Sequence, residues 1–191
     1  MNKETPLTAL PGNAPSPRKT IALLGALCLF LSTIEYMIPK PLPFMRIGIA
    51  NLPLILALDL FPFPIFMVLA AIKILGQALI TGTLFSYVFL FSLAGTVSSA
   101  VCMYALRRLL GKDRISFIGI GTAGAMISNV TQLALAWVFI LRNNVRYIAP
   151  PLLAAGLVTG IVLGAFCELF TRRSRWYANA YMRNEGSRGA L

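Results

Sequence analysis

Apolar residues in this chain come in long unbroken runs, without the alternation or every-third-residue spacing of half-buried elements. Read from the N-terminus, the runs extend from about Thr20 to Ile38, Gly48 to Leu60, Phe63 to Ile80, Leu84 to Leu106, Ser116 to Leu141 and Ile148 to Phe170. Most reach the roughly 18 to 20 residues that carry a helix across a bilayer. Pro62 and Pro64 cannot continue a helix interior but suit a first turn, so "DLFPFP" closes the second span and opens the third. "TGT" at 81–83 reads as a tight turn, and "RRLLGKDR" and "RNNVRYIAPP" separate the last three spans. The pattern predicts an all-α fold, an integral membrane bundle of six transmembrane helices in a single domain, residues 20–170. A disordered tail, 1–19, precedes it and a basic tail, 171–191, follows. No cleaved signal is expected, because Glu35 to Pro43 follows the first span and small cleavage-site residues are missing.

Composition agrees with the pattern. The 191 residues are 58% hydrophobic and 12% charged, with a mean hydropathy of +0.77, too apolar to cover a soluble core. A net charge of +11 would suggest nucleic acid in a soluble chain. Here its distribution matters more. Twelve basic residues (Lys3, Arg18, Lys19, Arg107, Arg108, Lys112, Arg114, Arg172, Arg173, Arg175, Arg183 and Arg188) fall on one side of the six spans, and four (Lys40, Arg46, Arg142 and Arg146) on the other. Basic residues mark the cytoplasmic side, so both termini are expected in the cytoplasm of a bacterial cytoplasmic membrane, in contact with anionic lipids and without nucleic acid.

Catalytic chemistry is hard to build from this inventory. There is no histidine, and Cys28, Cys102 and Cys167 are scattered through apolar segments where small packing residues belong. No P-loop is present, and Asp59 and Asp113 are too far apart to form the aspartate clusters that hold Mg²⁺ on a diphosphate. No cofactor, metal site or catalytic residue is expected.

Polar residues inside the spans are costly and therefore informative. On the expected topology Glu35, Arg46, Asn51, Lys73, Gln77, Asn129 and Gln132 all fall in the outer half, while the inner half has almost none. Lys73 and Gln77 share a helix face at i, i+4, and Asn129 and Gln132 at i, i+3. Two readings stay open: a water-accessible site for a small polar or anionic ligand, or a structural staple in which Glu35 pairs with Lys73 or Arg46. The Pro-stiffened stretch 39–43, with Lys40 and Arg46, is placed to cover such a site, so the candidate binding residues are Glu35, Lys40, Arg46, Asn51, Lys73, Gln77, Asn129 and Gln132. Glu168 is expected at the inner interface beside Arg172. Small residues mark close helix approaches: Gly156, Gly160 and Gly164 form one ridge, and Ser92, Gly95 and Ser99 a weaker one, both read as intramolecular packing faces.

"MRIGIANLP" at 45–53, following "IEYMIPKPLPF", resembles a bacterial membrane family known as Gx transporter or heptaprenyl diphosphate synthase component I. That family is similar to the substrate-binding S components of energy-coupling-factor (ECF) transporters. The resemblance covers about residues 20–170. It implies six helices, an outward-facing site and a first outer loop acting as a lid. It also implies partnership with an ECF-type transmembrane energising subunit and its ATPases, docking on an AxxxA motif that Ala22 and Ala26 match. The synthase label implies the alternative, a noncatalytic membrane subunit associated with isoprenoid diphosphate synthesis.

Overall fold

The computed structural model describes residues 16–38, 48–111, 114–141 and 145–188. Helices α1 (Pro17–Met37), α3 (Phe63–Ile80), α4 (Tyr87–Leu110), α5 (Phe117–Ala136, prolonged by a π-helical turn, Trp137–Leu141) and α6 (Val145–Arg173) form the bundle. Their starts follow local chemistry. Ser16, Ser86 and Ser116 accept N–H bonds from Lys19, Val88 and Gly119, and Pro64 sits in the first turn of α3.

The expected second span is the main correction. Among the described residues five helices, not six, are long and apolar enough to cross a membrane, which makes this a multi-pass membrane protein. Residues 48–61 instead form a 3₁₀ turn, Ile49–Asn51, and a six-residue helix α2, Leu52–Ala57. Every residue from Pro53 to Phe61 is buried. An apolar run of 10–14 residues is as suited to a protein core as to lipid, and here neighbouring helices supply its entire surroundings.

Helix directions follow from the contacts. Gly25 lies beside Leu69 and Ile72, and Gly76 beside Leu29, so α1 and α3 run parallel. Gly124 faces Ser99 and Met103, and Gly160 and Gly164 face Gly121 and Ile118, so α4, α5 and α6 alternate. The buried 48–61 segment supplies the return between the two parallel helices. The start of α1 and the end of α6 therefore share one end of the bundle, here the basic end.

The glycine ridge of α6 packs inside the molecule, as its spacing predicts. A Cβ on Gly160 would stand 2.8 Å from Thr122 Cα, and one on Gly164 2.5 Å from Ile118 Cα, so the two backbones touch directly. Toward the basic end lies the apolar core, built from Leu24, Leu54–Leu58, Phe66, Leu69, Met103, Ile120 and Cys167. The basic tail contains α7 (Arg175–Arg188), which docks on this core through buried Tyr177 and Ala180. Burial, with Asp59 nearby, raises the Tyr177 hydroxyl pKa well above the ordinary tyrosine range.

Candidate functional site

Polar side chains from most of the elements converge in the half of the bundle away from the basic end. Glu35, Asn51, Lys73, Gln77 and Asn129 line one cavity, together with Gly48, Thr96, Ser128, Gly156 and Thr159. Five of the eight candidate binding residues thus meet around one space. Gln132 is buried next to it, donating from Nε2 to Ser128 Oγ at 3.0 Å. Lys40 and Arg46 lie outside the described residues.

The geometry begins with Glu35, 1% exposed near the end of α1. Its two carboxylate oxygens accept from the backbone N–H groups of Gly48 at 3.1 Å and Ala50 at 3.2 Å. A carboxylate at the start of a helical segment satisfies donors that have no partner within the helix and meets the positive end of its dipole. Gly48 has φ +88°, the left-handed region that a side chain resists, and this turn aims both N–H groups at Glu35. Ala50 is 1% exposed, leaving little room for a larger side chain. Asn51 then accepts from the Lys73 ammonium through Oδ1. Gly48, Ala50 and Asn51 of the "RIGIAN" motif are thus each explained by one contact.

From the opposite wall, Asn129 donates through Nδ2 to the Leu152 carbonyl at 2.9 Å. Gly156 makes room for it: a Cβ there would stand 1.9 Å from Asn129 Nδ2. Gly95 does the same for Gln132, whose Nε2 would lie 2.8 Å from an added Cβ. The second ridge, Ser92-Gly95-Ser99, thus packs on α5 within the molecule. Thr96, Ser128 and Thr159 also face the cavity. Sequence reasoning passed them over because a hydroxyl in an apolar helix can satisfy itself on its own backbone, as Thr159 does on Ala155 at 2.9 Å.

Several buried oxygens have no hydrogen-bond partner among the described residues: Gln77 Oε1 on the cavity wall, and Gln132 Oε1, Ser92 Oγ and Ser99 Oγ on the α4–α5 side of the bundle. The cavity volume is about 20 Å³, room for one water molecule. In this conformation the arrangement can hold a water or a single polar group.

The basic end is less apolar than its sequence suggested. Arg107 donates to both oxygens of Asp59, from Nε at 2.8 Å and from Nη2 at 2.6 Å, and from Nη1 to the Ile115 carbonyl at 2.7 Å. Its guanidinium also covers the Phe117 ring at 4.7 Å. Asp59 lies where "DLFPFP" closes the second span and Arg107 in the stretch that separates the fourth and fifth, and the two are 8% and 9% exposed. Their spacing of 48 residues hides the pairing from any local pattern. Glu168 does meet Arg172, at 2.7 Å, as its helical spacing predicts.

No curated protein and no solved structure gives a significant match to the chain. Residues 24–170 match the family described as heptaprenyl diphosphate synthase component I. That match takes in most of α1 and α6, all of the helices between them and the buried segment that shapes the cavity, and the chain belongs to the heptaprenyl diphosphate synthase component I family.

Proposed function

We propose that the chain is a membrane-embedded substrate-binding subunit of an uptake transporter, capturing a small polar or anionic ligand and drawing energy from a separate ATPase module. The observation that carries this reading is the cavity itself. Glu35, Asn51, Lys73, Gln77 and Asn129 enclose it in a bundle whose buried core is mostly apolar. Two of its roles are already assigned within the protein, since Glu35 shapes the 48–51 turn and Asn51 steadies Lys73. Lys73 then supplies the cation for an anionic group, and the unpartnered Gln77 Oε1 accepts from a ligand donor. Because the cavity holds one water, ligand entry requires the walls to part.

The transmembrane energising subunit, which brings the ATPases with it, docks on α1. Ala22 and Ala26 are exposed there while Gly25 between them is buried, so the alanine face is open to a partner helix. The +11 chain sits with its basic end in the cytoplasm. The test is native mass spectrometry of gently purified protein, asking which small molecule travels with it and whether Lys73→Met or Asn129→Leu abolishes its retention. Retention unchanged in both variants would refute the site.

The family description favours a second reading, a noncatalytic membrane subunit associated with isoprenoid diphosphate synthesis. Co-purification separates the two. ECF-type ATPase and transmembrane subunits support transport, and a soluble prenyltransferase supports the alternative.

A further inference from the structure

A second concavity, unrelated to the polar cavity, lies at the elbow between α6 and α7. Phe166, Leu169, Phe170, Arg173 and Ser174 line a groove of about 390 Å³. Its wall is apolar and open: Phe166 and Leu169 are 50% and 55% exposed, and the Phe166 and Phe170 rings stack one helical turn apart with centroids 6.2 Å apart. Its rim is cationic. Arg172 donates to Glu168 at 2.7 Å, and Ser174 accepts from the Tyr177 N–H at 3.3 Å to cap α7. Arg173 is exposed and, among the described residues, makes no hydrogen bond or ion pair.

We propose that this groove binds one anionic diacyl phospholipid, its phosphate on Arg173 and an acyl chain along Phe166, Leu169 and Phe170. Charge complementarity selects the occupant. Arg172, Arg173 and Arg175 stand within four positions, and the acid closest in sequence, Glu168, is already bound to Arg172. A planar guanidinium at the membrane boundary grips phosphate through two donors. A zwitterionic headgroup brings its own cation to the same place and loses that advantage, while a free anion leaves the apolar wall uncovered. The juxtaposition of wall and unpaired arginine is what distinguishes this elbow from a diffuse basic surface.

The full-length protein, delipidated in mild detergent, is incubated with phosphatidylglycerol or phosphatidylcholine and examined by native mass spectrometry. One phosphatidylglycerol is retained in preference to phosphatidylcholine. Arg173→Gln lowers its retention by roughly five- to tenfold, whereas Arg172→Gln changes it by less than about twofold. Phe170→Ala also lowers retention, and Arg173→Lys keeps an intermediate level. Thermal melting checks that each variant remains folded, which the exposure of Arg173 favours. Equal retention of both lipids, or undiminished retention in folded Arg173→Gln, overturns the proposal. Displacement of the lipid by millimolar glycerol phosphate also overturns it, because the site would then take a free phosphate.

Discussion

Replacing the three ridge glycines of α6 with alanine, one at a time, separates packing from ligand recognition. Alanine is favoured over glycine in a helix by about 1 kcal/mol, so space alone decides each outcome. At Gly164 the new Cβ would meet Ile118 Cα at 2.5 Å and the Phe117 carbonyl at 2.6 Å, both backbone atoms that cannot swing aside. The helices must separate by about 1 Å, and overpacking of that kind costs about 3 kcal/mol, leaving a net loss of about 2 kcal/mol. For a chain of 191 residues this lowers Tm by roughly 4–8 °C. Gly160→Ala, with Thr122 Cα at 2.8 Å, should behave similarly. Gly156→Ala differs in kind, because its Cβ would stand 1.9 Å from the Asn129 amide. That amide must turn away from the Leu152 carbonyl, losing a buried bond at a cost of about 1–3 kcal/mol and deforming the cavity wall. Gly156→Ala should therefore lose both stability and ligand retention, while Gly160→Ala and Gly164→Ala lose stability alone. Gly25→Ala is the control, since its Cβ would sit an ordinary 3.6 Å from Ile72. Melting in detergent and native mass spectrometry read the two quantities. A Gly164→Ala protein that melts with or above Gly25→Ala would refute the backbone contact.

Asp59→Leu should destabilise by about 3–5 kcal/mol by stranding Arg107, and the double variant Asp59→Leu/Arg107→Leu should recover most of that loss in the same melting assay. Glu35→Gln should weaken the hold on the 48–51 turn by about 1–3 kcal/mol, seen as faster amide exchange at Gly48 and Ala50; unchanged exchange would show that the carboxylate does not anchor them. In a cysteine-free background, Leu42→Cys and Asn144→Cys should react with an impermeant thiol reagent in intact cells and Leu110→Cys should not, and the reverse labelling would overturn the orientation. Leu or Trp at Ala22 or Ala26 should block assembly with the energising subunit while the isolated protein melts normally, because both positions face outward; loss of the folded monomer would show instead that this face packs within the bundle.

Most of the helix boundaries were readable because proline and serine punctuate them. The third span was expected at Phe63–Ile80 and the structure has those bounds, with Pro62 before the first turn and Pro64 in it. The ridge Gly156-Gly160-Gly164 was readable because only one face of a helix can carry that spacing. What misled was hydropathy between Gly48 and Leu60, which reports how apolar a segment is but not whether lipid or protein surrounds it. The polar residues of the cavity stood out against apolar neighbours, so Asn51, Lys73, Gln77 and Asn129 were identifiable singly. Their partners were not. Glu35 was expected to line a site or to pair with Lys73 or Arg46; that its carboxylate accepts from two backbone N–H groups could not be foreseen, because such donors leave no mark in a sequence. Asp59 and Arg107 were hidden by being next to turns, where charge is ordinary.

The buried segment 48–61 also bears on how the protein is assembled. A stretch this short does not enter a bilayer as an independent helix, since insertion favours longer apolar runs. The parallel helices α1 and α3 can be inserted first, but the chain between them finds its place only when the bundle closes around it. Its first turn requires Glu35, and its last requires the bonds that Arg107, near the far end of α4, donates to Asp59. Until both are made, backbone groups and a carboxylate would stand unpaired in hydrocarbon. The cavity wall is therefore complete only when the 48–51 turn is bound to Glu35. A half-assembled bundle has five anchored helices and no closed cavity, so under the proposed function loss of ligand retention should be the earliest sign of defective assembly, before any loss from the membrane.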